Sequence, residues 1–525
     1  MTPNSRISDV RRMGRLLLLC VIGVLAVQGG CVRRQVVVPP ELRTLVDRKE
    51  VDYPSNARLT VLAQNLTAPI GMAFDVDGNL LVAEGGIPDR DPWIFGIRPD
   101  GSTFDIYPRG QQLPFVKRGF RMYGPIGGIV AAHGAIYVSH RDANGAGVIT
   151  RFDYEGNPTT IVAGLPAQGD HSVTDLAVHP GGRIYFGVGS ATNSGVVGLD
   201  NLRWLKRHRT FCDQASADLY LLGRRFDAAN PFAGLFGGSD IAVTAPFQPF
   251  GQSIDTYIRA AARPNAAIYS VSPSGGDVRL EAHGIRLPVG LGFNEFGAQY
   301  ATNQGMKLRG TRPVKDDPDV LLRIVQGQWY GWPDYSADLR PIRLPQFQPP
   351  ADTIVPSGYR DLSFLIDHAS SNLSAPNRET LLRATFPPLS GAAKFDFAPA
   401  SGPFSGLRQG GKEVVIVALW GDRAPFDTGG RKLIGPQGRK LVKVVEPGVV
   451  SDFVSNVGGP PGSETAHRGA RLQRPIDVKF GPDGAMYILD YGRVKIHDGG
   501  ERVVSGTGRI YRLSLESGPS AAGLP

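Results

Sequence analysis

The stretch PIGMAFDVDGNLLVAE at residues 69–84 decides the fold. It reads as an apolar run, an Asp-Gly turn and a second apolar run. An Asp-Gly pair between such runs closes a hairpin, because its tight turn needs residues that tolerate a left-handed backbone. The same grammar returns at 127–140 (GGIVAAHGAIYVSH), 174–189 (TDLAVHPGGRIYFGVG), 289–302 (VGLGFNEFGAQYAT) and 475–490 (PIDVKFGPDGAMYILD). A degraded copy spans 392–420, where AAKFDFAPA and EVVIVALW flank a longer turn. Further strand candidates follow the copies, at 93–98, 147–152, 320–325, 441–445 and 508–513. Four short strands per unit, repeated radially, predict an all-β chain folded as a six-bladed β-propeller. One blade alone cannot bury both its faces, so blades stack around an axis. An irregular β-sandwich is the competing arrangement, and six copies of one hairpin pattern fit it poorly. The long gap at 195–266 reads as a large insertion on the top face, with a helix-capable piece at 216–225.

Composition agrees with this. The 525 residues are 42% apolar and 20% charged, a globular balance. Gly (67) and Pro (42) are abundant, which favours turns over long helices. Net charge is +9, but the basic residues are scattered. Nucleic-acid binding would need them clustered, so no nucleic-acid partner is expected. Three cysteines, Cys20, Cys31 and Cys212, form no CxxC, haem-attachment or zinc spacing.

The N-terminus reads as an address. Arg11, Arg12 and Arg15 precede a 12-residue apolar run at 16–27. A bilayer span needs about 20 residues, so the run is a secretory signal rather than a membrane helix. It ends Gln28-Gly29-Gly30-Cys31, which resembles a bacterial lipobox with Gln28 in place of the usual branched residue. The expected division is a lipoprotein signal peptide at 1–30, a tether at 31–55, the propeller at 56–515 and a flexible tail at 516–525. Cys31 would carry lipid, giving an exported, periplasmic or outer-envelope protein held to the membrane.

Several residues at strand ends could carry chemistry. His171 sits in GLPAQGDHSVTD, just before an innermost strand, where it could serve as a general base. It could equally be a surface histidine bonded to Asp170. Arg286 (in HGIRLPVG) and Arg474 (in LQRPID) occupy the same entrance in other blades, and Arg423 (in WGDRAP) follows a strand. Arginines brought to one channel make an anion site, since guanidinium forks match carboxylates; singly, each could be a surface ion pair. Gln304, Gly305 and Met306 follow a strand end, where free carbonyls could hold a hard cation such as Ca²⁺. The aromatic run Trp329-Tyr330-Gly331-Trp332 could stack a sugar or a planar cofactor, or pack blade against blade.

Taken together, GDH at 169–171, HGIRLPVG at 283–290, GQWYGWPDY at 327–335 and WGDRAP at 420–425 resemble the glucose/sorbosone dehydrogenase family. These are soluble sugar dehydrogenases that use pyrroloquinoline quinone (PQQ), and the likeness is to the pyranose-dehydrogenase type. It spans roughly residues 57–513. The resemblance implies a six-bladed propeller with PQQ in a basic cleft. It implies His171 as the base for the sugar hydroxyl and Arg286, Arg423 and Arg474 as holders of the quinone. It places Gln304 beside the cofactor and Ca²⁺ on the carbonyls of Gly305 and Met306. A separate electron acceptor, a cytochrome or membrane quinone, would then be required. The sequence departs from the family at Leu287, often Asn in glucose-type members. It departs also at Gly421-Asp422, and at Ile476, where a second Arg is usual. Two other functions compete: a non-catalytic envelope propeller binding a partner or carbohydrate, and a Ca²⁺-dependent lactonase.

Overall fold

The computed structural model describes residues 35–516, apart from 88–90, 109–118, 234–238, 253–254, 352, 354–361, 434, 460–468 and 498–499. The signal peptide, Cys31 and the last nine residues of the expected tail lie outside the described residues.

Two strands come first, β1 (Val51–Asp52) and β2 (Ala57–Leu66). Blade one follows as β3 (Pro69–Phe74), β4 (Leu80–Glu84), β5 (Trp93–Ile97) and β6 (Thr103–Tyr107). Blade two is β7 (Tyr123–Ala132), β8 (Ala135–Arg141), β9 (Gly147–Phe152) and β10 (Pro158–Leu165). Blade three opens with β11 (Val173–Val178) and β12 (Ile184–Val188). It is then interrupted by a segment carrying the short helix α1 (Leu202–Leu205) and four strands. These are β13 (Leu219–Tyr220), β14 (Phe226–Ala229), β15 (Ile241–Thr244) and β16 (Tyr257–Ile258). The blade resumes with β17 (Ala267–Val271) and β18 (Arg279–His283). Blade four is β19 (Pro288–Phe293), β20 (Gln299–Asn303), β21 (Asp319–Ile324) and β22 (Leu382–Phe386). Blade five is β23 (Ala392–Phe397), β24 (Val414–Leu419), β25 (Lys440–Val445) and β26 (Val449–Asn456). Blade six is β27 (Pro475–Phe480), β28 (Met486–Asp490) and, after the outlying hairpin β29 (Val494–His497) and β30 (Gly500–Val503), β31 (Gly508–Leu515). Its outermost strand is β2 from the other end of the chain, so the ring closes by pairing the two ends.

The six-bladed propeller is therefore present. Every sheet is antiparallel, and in each blade the start of the inner strand pairs with the end of the second. Val173 faces Val188, Pro288 faces Asn303, Ala392 faces Leu419 and Pro475 faces Asp490. One face, the upper one, thus gathers six strand entrances and six strand exits.

Small residues let the inner strands converge. A Cβ on Gly127 would sit 2.3 Å from the Val173 carbonyl, so no other residue fits there. Two positions after each of five inner-strand starts stand Gly71, Asp175, Gly290, Lys394 and Asp477. The Lys394 ammonium lies 2.7 Å from Asp175, and the Asp175 carboxylate fills the space that a Cβ on Gly128 would need. Asp477 accepts from the Met72 amide at 2.8 Å and pairs with Lys479. Charges this deeply buried persist because each has a counter-charge or an amide donor.

The insertion differs from expectation in one respect. Residues 216–225 are not helical. Leu219 and Leu221 are buried while Tyr220 and Leu222 are 47% and 46% exposed, a period of two. β13 pairs with β16 instead, and cross-strand pairing overrides helix propensity. The tether expectation also changes. Residues 35–52 lie along β2, with Val38 donating to Leu62 and Val46 to Leu59. β1 then joins the edge of blade five.

Candidate functional site

Every candidate residue lies on the upper face. The Gly164–Ser172 loop delivers His171 to the start of β11. Gly169 has φ +112°, and a Cβ there would sit 2.3 Å from the Ala191 carbonyl, so this turn demands glycine. His171 Nδ1 donates to the Ser190 carbonyl at 3.0 Å. A carbonyl only accepts, so the proton is on Nδ1 and Nε2 keeps its lone pair. Burial holds the imidazole well below the usual histidine range, and Arg286, Arg309 and Arg423 push the same way. The ring is therefore neutral at pH 7.

Asp170 does not bond His171. Its carboxylate meets Arg309, which also pairs with Asp200 and Asp427. One buried guanidinium thus ties the His171 loop, the insertion and the Arg423 loop together. Burial pushes Asp200 up to about 6, with the neighbouring Asp170 adding to the effect against Arg309.

The three expected arginines differ in availability. Arg286 is buried and spent on the protein. Its Nε donates to the Asn193 carbonyl at 2.9 Å, Nη2 to Asn193 Oδ1 at 3.1 Å and Nη1 to the Gly305 carbonyl at 3.1 Å. Burial, helped by Arg309, lowers it to about 10. Arg474 lies 4.1 Å above the Trp420 ring, and its Nη1 donates to the Asp422 carbonyl at 2.9 Å. Its Nη2 is buried with no hydrogen-bond partner among the described residues. Burial, then Arg439, lowers Arg474 to about 9. Arg423 is 31% exposed, 3.0 Å from Glu501 and 4.8 Å from the Phe426 ring. Trp420 meets Tyr491 edge-on at 5.8 Å, so Arg474, Trp420 and Tyr491 form one cluster, with Arg474 over the indole face and Tyr491 against its edge.

Gln304 Nε2 donates to the Ala392 carbonyl at 3.0 Å, bridging blades four and five. The Gly305 amide donates to Asp319 and the Met306 amide to Asp317, while the Met306 side chain is buried beneath the insertion. The aromatic run at 329–332 packs rather than stacks a ligand. Trp329 and Trp332 join Leu219, Leu365 and Phe247 in the core that seats the insertion.

The sequence reading missed Arg309, Asp200, Asp427 and Tyr491. Tyr491 follows the end of β28 as Trp420 follows β24, so the repeat itself could have found it. Nothing in residue spacing marked the carboxylates around Arg309.

The residues can be tested against an anionic planar quinone. An unpaired buried guanidinium nitrogen, a second arginine at the rim and an indole face fit a flat polycarboxylate. The calcium pair fits less well. The Gly305 carbonyl is already held by a cationic group, so a divalent ion there would require Arg286 to move.

No protein-family model matches the sequence, and no curated protein matches it. Solved structures do share its shape. The iodide structure of a carbohydrate-active enzyme of family AA12 from Trichoderma reesei aligns with 90% of this chain and 99% of its own, at 14% identity and TM-score 0.49. The holo form of the PQQ domain of pyranose dehydrogenase from Coprinopsis cinerea aligns with 89% and 98%, at 15% identity and TM-score 0.48. The PQQ-bound aldose sugar dehydrogenase from Streptomyces coelicolor aligns with 88% and 99%, at 14% identity and TM-score 0.44. Likenesses this distant carry no chemistry, which rests on the residues above.

Proposed function

We propose that this propeller is a quinoprotein oxidoreductase that oxidises a sugar or related polyol, with PQQ bound on its upper face. The observation that carries the reading is that one upper face holds both His171, a half-buried neutral imidazole whose Nδ1 is held by the Ser190 carbonyl so that Nε2 keeps its lone pair, and Arg474, whose Nη2 has no partner among the described residues.

Oxidising an alcohol carbon removes a hydride from its C–H bond and a proton from its O–H bond. His171 Nε2 is the chain's acceptor for that proton. Ser190 holds the ring so that the lone pair stays on the reacting side. Arg474 and Arg423 would hold the carboxylates of the quinone, with Trp420 against its plane. When bound, the quinone supplies the two-electron sink. Arg286 keeps Asn193 and Gly305 in place. Electrons then pass to a separate acceptor, a cytochrome or membrane quinone. Export and a lipid anchor at Cys31 would place the enzyme at the envelope, and the mass of the mature protein tests that anchor.

Two other readings lack a comparable observation. A lactonase needs side-chain metal ligands, and among the described residues no group of three His, Cys, Asp or Glu could hold an ion. A non-catalytic propeller that only binds a partner or carbohydrate gives no reason for a neutral histidine and an unpartnered Arg474 nitrogen on the same upper face.

The test is His171→Ala. Sugar-dependent dye reduction by the PQQ-loaded protein should fall at least about 100-fold, the low end of a general base's contribution. PQQ affinity should stay within about twofold, since His171 touches none of the proposed anchors. Near-normal turnover by His171→Ala would remove histidine from the chemistry.

A further inference from the structure

Arg141 is the last residue of β8, at the upper-face exit of blade two. It is 7% exposed, and its Nε is buried without a hydrogen-bond partner. Its one guanidinium contact among the described residues is the Trp204 ring, 5.2 Å away on α1 of the insertion. Among the described residues no carboxylate pairs with it. Asp142, next in the chain, turns its Oδ1 back onto the amides of Asn144 and Ala146. Burial lowers Arg141 to about 10, and the neighbouring cation Arg203 pushes the same way. A buried, uncompensated guanidinium is costly, because desolvation is not repaid by a partner.

Its direction follows from strand geometry. Residues two apart on a strand point to the same side. Ser139 points across the seam to blade three, where its hydroxyl donates to the Thr174 carbonyl at 2.6 Å. Arg141 stands two residues further up β8, on the same side. His171 stands three residues before Thr174, also further up. Arg141 thus rises over the seam between blades two and three, while the His171 ring leans the other way across blade three, onto Ser190 and towards Leu287 at the blade-four entrance. The anchors proposed for the quinone lie on blades five and six, across the cleft. His140, between Ser139 and Arg141, points the other way and is bonded to Thr150.

We propose that Arg141 recognises the substrate, and that this substrate is a carboxylated sugar such as a uronate. This rests on the reading of the upper face as a sugar-oxidising site. One planar fork matches one carboxylate through two parallel hydrogen bonds, and the Trp204 ring offers an apolar wall to the sugar. The carboxylate would supply the counter-charge that no described residue gives Arg141. The hydroxyl to be oxidised would then lie inward, across the top of blade three towards His171.

The test measures binding and turnover separately. Calorimetry with glucuronate, glucose and glucose 6-phosphate is run on wild type, Arg141→Gln and Arg141→Lys, with and without PQQ. Glucuronate should bind wild type about 10- to 100-fold more tightly than glucose, the range for a hydrogen bond to a charged group. Arg141→Gln should lose that advantage and leave glucose affinity unchanged. Arg141→Lys, which keeps the charge and most of the shape, should retain part of it. In turnover, Arg141→Gln should raise KM for the acid with kcat little changed. Equal affinity for glucuronate and glucose in wild type would overturn the proposal. So would a preference that survives Arg141→Gln, or an Arg141-dependent preference for the phosphate over the carboxylate. An Arg141-dependent preference for glucuronate without any PQQ-linked turnover would uphold this subsite and refute the oxidoreductase reading.

Discussion

At the scale of single residues, His171 and Arg474 do the most work, and each makes a prediction. His171 has its pKa held below the ordinary 6.5 by burial and by three arginines. A base that stays deprotonated on acidification keeps working. The kcat/KM profile should therefore stay flat through pH 6.5 and fall only in more acid solution. The same shift affects stability. The unfolded histidine takes up a proton near pH 6.5 while the folded one resists it. This contribution to stability is present above pH 6.5 and is lost as pH falls below it. An acid limb centred at 6.5 would contradict the assignment. Arg474 predicts a different loss. Its unpaired Nη2 and its place over Trp420 would make it the chief holder of the proposed quinone's carboxylates, so Arg474→Gln should weaken PQQ binding about 10-fold or more. Equilibrium titration checks this, and a milder effect from Arg423→Gln is expected because Arg423 is part-exposed and already paired with Glu501.

At the scale of elements, the sequence and the structure agree where one hairpin repeats and part where distant segments meet. The six inner hairpins were legible because the period-two pattern and the turn residues are local. Asp75 shows why: its Oδ1 accepts from the amides of Asp77 and Asn79, so the Asp-Val-Asp-Gly-Asn turn is closed by its own residues. Strand entrances located His171, Arg286 and Arg474 on one face for the same reason. What each arginine bonds was not legible. The Arg286 partners, Asn193 and Gly305, are 93 and 19 residues away. Arg309 sits in the loop after β20, and its three carboxylates come from the blade-three entrance, the insertion and the loop after β24. Such partnerships are set by the closed ring and leave no local pattern. The axial ions are a further case. Lys394 lies between Asp175 and Asp477 because equivalent positions of different blades face one another. Lys394→Met should destabilise the fold by about 3–5 kcal/mol, since it strands a buried carboxylate. Denaturant unfolding checks this, and a change under about 1 kcal/mol would show the axis to be wetter than the structure describes.

For the whole molecule, the ring is closed twice. β2 completes blade six, and the segment before it crosses from blade six to blade five. Val36, Val46 and Val51 are buried along that path, at 1%, 3% and 0% exposure. A segment read as a tether is thus a strap that pins the closing seam. Removing residues before Val51 exposes the surface under Val36 and Val46, each worth roughly 1.5–3 kcal/mol. The truncated protein should keep its fold through β2 but melt at a distinctly lower temperature. An unchanged melting temperature would show that the strap adds nothing to closure.

The central claim is that the upper face binds the quinone beside a ready base. It is tested most directly by titrating PQQ, with calcium present, into the purified metal-stripped protein while recording the quinone spectrum. The account predicts saturation at one PQQ per chain, with binding weakened by Arg474→Gln and unaffected by His171→Ala. No spectral change at micromolar PQQ, or binding indifferent to Arg474, would contradict it.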